Sequence, residues 1–330
     1  MISKIKWFVI ISVFFSSCEI EEIPIDIVRL INYTQVDIGA DYCYQKYYDI
    51  DTDTIVGENL ITDWDLAFSN SSEYSSIILN SSKYMRIVPF NPETLLSIDD
   101  LIKNANWQYD NPNGDLELTA FNNGGELSNG YYLVDRGYDC DGNLLGQFIF
   151  RIVDYNENTY SVQIIDILDD SSWLYNDDII EIQKIDTHNV TYFSLDNNSI
   201  VNIADFEWDL CFSQYTEFNV PQPNNESTLL STYCLVGVLQ NLNLLVAVDT
   251  INNFEDITID NISNYVFSTN RNTIGYDWKR YEGIVLDVYS IDSPVYIIKT
   301  ESLAYFKMLF IDFYNENGEE GAPTFQLQEI

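Results

Sequence analysis

Short apolar runs rich in Tyr, Phe, Ile and Val, broken by Asn, Asp, Ser and Gly, fill this chain from about residue 31 to its end. That is the pattern of strands joined by turns. Within it, Trp64-Asp65-Leu66-Ala67-Phe68 comes back as Trp208-Asp209-Leu210-Cys211-Phe212. Trp, Leu and Phe stand at alternate positions, so a strand puts all three on one buried face and turns Asp65 and Ala67, or Asp209 and Cys211, to the other. Aromatic stripes at this spacing read as packing, and the motif therefore predicts architecture and no chemistry.

Two further blocks recur in the same order. Upstream, Tyr47-Tyr48-Asp49-Ile50-Asp51-Thr52-Asp53-Thr54-Ile55-Val56 matches Tyr192-Phe193-Ser194-Leu195-Asp196-Asn197-Asn198-Ser199-Ile200-Val201, a strand, a turn and a strand in each case. Downstream, the run from Phe148 to Asn158 matches that from Met308 to Asn317. A repeat in fixed order predicts a mainly β protein of two tandem domains, 31–183 and 184–330, with a few short helices. Ser97 followed by Asp99 and Asp100 marks one helix start. Asp139-Cys140-Asp141-Gly142-Asn143 predicts a hairpin. The segment from Thr216 to Thr228, with Pro221 and Pro223, predicts a loop. Tyr233 to Val248 predicts two strands around a turn.

Residues 1–17 change the picture of where the protein works. Lys4 and Lys6, an apolar run from Trp7 to Phe15 and then Ser16-Ser17-Cys18 read as a secretory signal, too short to stay as a membrane span. Cys18 after the small pair resembles a bacterial lipobox, in which the cysteine is acylated and becomes the new N-terminus. Residues 18–30 then form a tether, and Glu19, Glu21 and Glu22 resemble the surface-export signal of Bacteroidetes lipoproteins. The expected location is the outer membrane, lipid-anchored and facing outward. Formal net charge is −37, and loss of the two leader lysines makes the mature chain two units more negative. Such a chain repels nucleic acid and anionic membrane surfaces. Of the remaining cysteines, Cys43, Cys140, Cys211 and Cys234, the exported compartment permits two bridges, one per repeat; four buried thiols are the equal alternative.

The C-terminal run Val295-Tyr296-Ile297-Ile298, then Tyr305 to Gly318 with its Asp312-Phe313-Tyr314-Asn315 turn, then Gly321-Ala322-Pro323-Thr324-Phe325, resembles the HmuY family of exported lipoproteins when taken with Trp208 to Phe212. The second copy carries the resemblance over nearly its whole length and the first in degenerate form. It implies a mostly β fold, capture of haem or another flat apolar ligand, and hand-over to an outer-membrane receptor for iron acquisition. In that family the axial haem ligands are paired histidines, or methionines, on loops after the Trp-Asp-Leu-Ala-Phe strand. Here Ser69-Asn70 and Ser213-Gln214 follow that strand, and His188, the single histidine, lies at the join. Tyr84 and Met85 in the corresponding region are the candidate haem ligands, since both types can bind haem iron.

Other chemistry finds little support. Asp49, Asp51 and Asp53 alternate as in a calcium loop, but Thr54 and Leu60 occupy the positions that need glycine and glutamate. No Gly-x-Ser-x-Gly elbow, His-Glu-x-x-His pair or glycine-rich phosphate loop exists, and no one pair of the many carboxylates stands out as a glycosidase couple. A non-catalytic binding protein is the first reading, and an adhesion or assembly module that kept the scaffold and lost haem is the second.

Overall fold

The computed structural model describes residues 30–95, 97–168, 172–173, 178–185, 189–203, 207–221, 230–283 and 285–330. Cys18, the leader, most of the tether and His188 lie outside them. The chain begins with an arm, β1 (Asn32–Gln35) and the hairpin β2 (Tyr44–Asp49) and β3 (Thr54–Leu60). A body follows: β4 (Leu66–Ser69), β5 (Ile77–Leu79), β6 (Arg86–Phe90), the helix α1 (Ile98–Lys103), β7 (Gly130–Asp135), β8 (Gln147–Tyr155) and β9 (Thr159–Asp166). A second arm is built like the first, from β10 (Ile180–Gln183) and the hairpin β11 (Val190–Ser194) and β12 (Ser199–Val201). The second body comprises β13 (Leu210–Pro221), β14 (Leu230–Gln240), β15 (Leu245–Asp249), the small hairpin β16 (Lys279–Tyr281) and β17 (Tyr289–Ile291), β18 (Val295–Lys299), β19 (Tyr305–Tyr314) and β20 (Glu320–Glu329).

The two halves share one plan. Each unit is a sandwich of a five-stranded and a four-stranded antiparallel sheet, in the orders β10-β9-β8-β7-β6 with β12-β11-β4-β5, and β1-β20-β19-β18-β15 with β14-β13-β2-β3. Alternation makes the first core: Phe148, Phe150 and Ile152 of β8 meet Leu66 and Phe68 of β4 and Phe193 of β11. The second core is built alike from Tyr296, Met308, Phe310 and Phe325 against Tyr48, Leu210 and Phe212, with Trp278 stacked on Phe310 at 4.2 Å. On the outer face of each five-stranded sheet lies a smaller cluster. Ile149 and Leu133 pack under α1, and Val295 and Ile297 pack with Phe254 and Ile262, from two 3-10 turns. The Ser97 hydroxyl caps α1 by accepting the Asp100 N–H, as its sequence requires.

The repeat is present, but its two arms are exchanged. The hairpin β2–β3 of the first copy pairs with β13, Tyr48 opposite Leu210 and Tyr47 opposite Cys211. The hairpin β11–β12 of the second copy pairs with β4, Phe193 opposite Leu66 and Tyr192 opposite Ala67. Strand β1 likewise completes the far sheet beside β20. One unit is therefore built on residues 66–201, and the other joins 32–60 to 210–329; a boundary at 183/184 cuts through the second arm. The physical reason is that sequence similarity identifies which strand types pair and cannot identify which copy of each.

Three local expectations are corrected. Trp64 is not in the core with Leu66 and Phe68, because the chain bends at Asp65 and β4 starts only at Leu66. Thr216 to Pro221 is strand, held against β14 with a bulge between Glu217 and Val220 that accommodates its irregular end. A single disulfide joins Cys43 to Cys140, and Cys211 and Cys234 are free, so neither the two-bridge nor the four-thiol alternative holds. The bridge connects the start of the β2 arm to the β7–β8 turn, tying one unit to the other. That turn is the expected Asp-Gly one, with the Asp139 carboxylate accepting the N–H groups of Asp141 and Asn143. Tyr233 to Val248 does make two strands around a turn, though β14 and β15 join different sheets.

Candidate functional site

The outer faces of the two four-stranded sheets look toward each other across a cleft of about 640 Å³. Its walls follow from the repeat. Because Tyr47 and Tyr192 alternate with the core residues Tyr48 and Phe193, they must point away from the cores and into this space. Each meets the tryptophan that precedes its partner strand: Tyr47 lies on Trp208 with centroids 5.2 Å apart, and Tyr192 on Trp64 at 4.9 Å. Ala67 and Cys211, opposite the two tyrosines, leave room between the pairs. The Trp64 indole N–H donates to the Gln45 side-chain carbonyl at 2.8 Å, and the Gln45 amide donates to the Ser82 hydroxyl. Those bonds lock arm and body together beside the disulfide.

The two motif aspartates clamp the arms. Asp65 accepts the Leu195 N–H at 2.7 Å and Asp209 accepts the Ile50 N–H at 2.8 Å, at equivalent places in the two hairpins. Their surroundings differ. Asp65 is fully buried and bound by Lys83 and by Arg136, which also reaches Asp196. Burial holds Lys83 below the ordinary lysine value against the pull of Asp65. Asp209 lines the cleft with no cation within ion-pair distance among the described residues; burial, with Asp49, Asp51 and Glu301 nearby, pushes it up to about 6.

Among the described residues Arg271 is the one cation lining the cleft. Its backbone N–H donates to the Asn113 carbonyl at 2.8 Å, bridging the two units. Gly114 lies against its side-chain stem with φ +80°, where a Cβ would come within 2.4 Å of the Arg271 Cδ. Burial holds the Tyr192 phenol and the Cys211 thiol protonated, pushing both up to about 12, and raises the Asp110 carboxyl to about 7 despite the Leu79 and Ala120 N–H groups it accepts, so Asp110 keeps part of its charge at neutral pH.

Sequence reasoning missed this site, although four of its aromatics, Tyr47, Trp64, Tyr192 and Trp208, stand in the repeated blocks. The candidates it singled out lie elsewhere. Met85 is 1% exposed in the first core, and the Tyr84 hydroxyl donates to the Thr232 carbonyl at 3.0 Å while its ring packs on Tyr109. Neither lines the cleft. Asp53 of the rejected calcium loop accepts hydrogen bonds from Thr34 and Tyr48. Haem fits the cleft poorly. Among the described residues no histidine or methionine lines it, the available donors are tyrosines and a thiol held protonated, and seven carboxylates would face the propionates.

Fold and cleft define a double β-sandwich whose repeated strands wall a binding site. Residues 186–327 match the family model described as HmuY protein, so this segment of the chain is similar to that family. The model matches one stretch, which holds the second hairpin and the second body. No curated protein matches the chain. Among solved structures it is similar to apo PinO from Porphyromonas gingivitis, at 8% identity and TM-score 0.36, over 91% of this chain and 97% of that one. An apo HmuY analog from Tannerella forsythia gives 8% identity and TM-score 0.35, over 91% and 96%. A HmuY-like haem-binding protein from Bacteroides vulgatus gives 14% and 0.25, over 43% and 79%.

Proposed function

We propose that this is a non-catalytic, HmuY-type surface lipoprotein that holds a flat, largely apolar ligand in the cleft between its two units. The observation that carries this reading is the pair of Trp–Tyr walls, Trp64 with Tyr192 and Trp208 with Tyr47, around a space of about 640 Å³. A cavity of that size with aromatic walls suits a small molecule. A catalytic reading lacks a base beside Cys211, whose thiol is held protonated. Haem is the ligand that the family resemblance implies, and the described residues lining the cleft include none of its usual axial ligands.

Titration of haemin into the purified protein tests that form of the proposal. A saturable, shifted Soret band, lost in a Trp64→Ala, Trp208→Ala variant, would restore haem as the ligand. With no spectral change, the scaffold serves another ligand or a protein partner. Lipid anchoring is tested separately: cells fed labelled palmitate should label this protein, and Cys18→Ala should abolish the label.

A further inference from the structure

The charge around the cleft selects among flat ligands. Among the described residues seven carboxylates line it, and Arg271 is the single counter-charge. No Lys or Arg lies within ion-pair distance of any of the seven among the described residues. This is not simply the acidity of the whole chain. Lys83 and Arg136 are placed on Asp65 and Arg86 on Asp135, whereas no such pair forms on the seven that line the cleft. Some of those carboxylates are occupied structurally: Asp51 accepts the Thr300 and Ser302 hydroxyls, and Asp209 accepts the Ile50 N–H. Hydrogen bonds to neutral donors leave the charge in place. Independently of the acids, the Tyr192 hydroxyl in the cleft wall has no hydrogen-bond partner among the described residues and is open to a guest.

Ring faces and carboxylates together favour one class of guest. Tryptophan and tyrosine faces carry negative potential and attract cations, most strongly where water is excluded. Carboxylates around a concave wall focus a negative field into it. We infer that the cleft takes a flat organic cation, a protonated or quaternised aromatic nitrogen compound, stacked between the Trp64 and Trp208 walls with its charge toward Asp51, Asp209 and Glu301. This deepens the proposed function and rests on it. Dianionic porphyrins meet the opposite sign and are excluded from the same space.

Two dyes of similar size and opposite charge separate the possibilities. Thioflavin T, a flat cation, should bind the full-length protein saturably with a fluorescence rise, and 8-anilinonaphthalene-1-sulfonate, an anion, should not compete with it. Raising salt to about 0.5 M should weaken thioflavin binding several-fold by screening. Trp64→Ala should weaken it at least tenfold. Since that variant removes a well-packed ring, Glu301→Lys serves as a second one: Glu301 is exposed and makes no structural bond, and its reversal should weaken the cation several-fold with an unchanged circular dichroism spectrum. If the anion or haemin binds in the cleft and thioflavin does not, the inference is overturned while the cleft stands. If thioflavin binds without response to salt or to Glu301→Lys, the cationic preference is equally overturned. If none of the three binds, both the inference and the cleft as a binding site fall.

Discussion

Asp65 and Asp209 stand at the same place in the same five-residue motif and make the same bond to an arm, yet one sits in a sealed ion cluster and the other at the edge of an open cleft. What the repeat preserves is the clamp: a carboxylate two residues ahead of the alanine or cysteine that receives the N–H of the incoming hairpin turn. What it does not preserve is the counter-charge. In the first unit Lys83 is brought under Asp65 by the 3-10 turn Ser81–Lys83, and Gly137 lies close against the Lys83 carbonyl, at φ +72°, where any Cβ would clash. In the second unit Asn241 follows β14 as Asn80 follows β5, and both side-chain amides donate to the carbonyl of the motif tryptophan. No lysine follows Asn241. One copy of a structural device thus became a rivet, and the other was left polar beside a binding cleft.

The largest expected effect breaks the rivet. Asp65→Ala leaves Lys83 buried without its partner and should cost about 3–5 kcal/mol of unfolding free energy, toward the lower figure because Lys83 can shed its proton. Asp209→Ala removes one charged acceptor from one N–H and should cost about 1–2 kcal/mol. Urea unfolding of both variants beside the parent reads the difference. Equal losses would mean that the cluster around Asp65 contributes no more than the clamp itself.

Much of this was legible in the chain. The alternating apolar runs, the three repeated blocks, the capped helix at Ser97 and the Asp-Gly turn after Tyr138 all express local rules, and local rules are what a sequence states directly. The exchange of arms was not legible, because β pairing is non-local and either Tyr-rich hairpin could satisfy either Trp-Asp-Leu strand. Alternation alone places Trp64 and Trp208 in the cores; the bend at Asp65, where the carboxylate turns to Lys83, Arg136 and Leu195, breaks that alternation one residue before the strand. The cleft went unseen for the same reason, since its walls are brought together only by the exchange. Only analogy of position points to Tyr84 and Met85, and Met85 belongs to the first core.

A second comparison is between the two ways the arms are tied. The second arm continues directly from β9, which it joins as β10, whereas the first arm reaches its sheet from the far end of the chain and is fastened by the disulfide across 97 residues. Replacing Cys43 and Cys140 by serine should therefore destabilise the unit containing residues 32–60 by about 2–4 kcal/mol and leave the other nearly unchanged. Hydrogen exchange followed by mass spectrometry should show faster exchange in β2, β3 and β13 than in β4 and β11. Uniform loss over all five strands would show that the units unfold together and that the bridge does not act on one arm.

The smallest effect concerns pH, and it again separates the two aspartates. Asp209, at about 6, and Asp110, at about 7, sit above the ordinary carboxylate value, so the folded protein holds protons that the unfolded chain releases. Stability from these groups is present below the unfolded value, near 4, and is lost as pH rises through 6 and 7. Asp249, lowered to about 2, works the other way, and its contribution disappears only in stronger acid. Between roughly pH 5 and 7 the parent should lose stability from this source as pH rises, and Asp209→Asn should flatten that slope by on the order of 1 kcal/mol, since the group is partly solvated and its shift is screened. Urea midpoints at the two pH values measure it. Should Asp209→Asn keep the parent's slope, neither burial nor the carboxylates around Asp209 hold its proton in solution, and the negative field assigned to the cleft would lose its nearest witness.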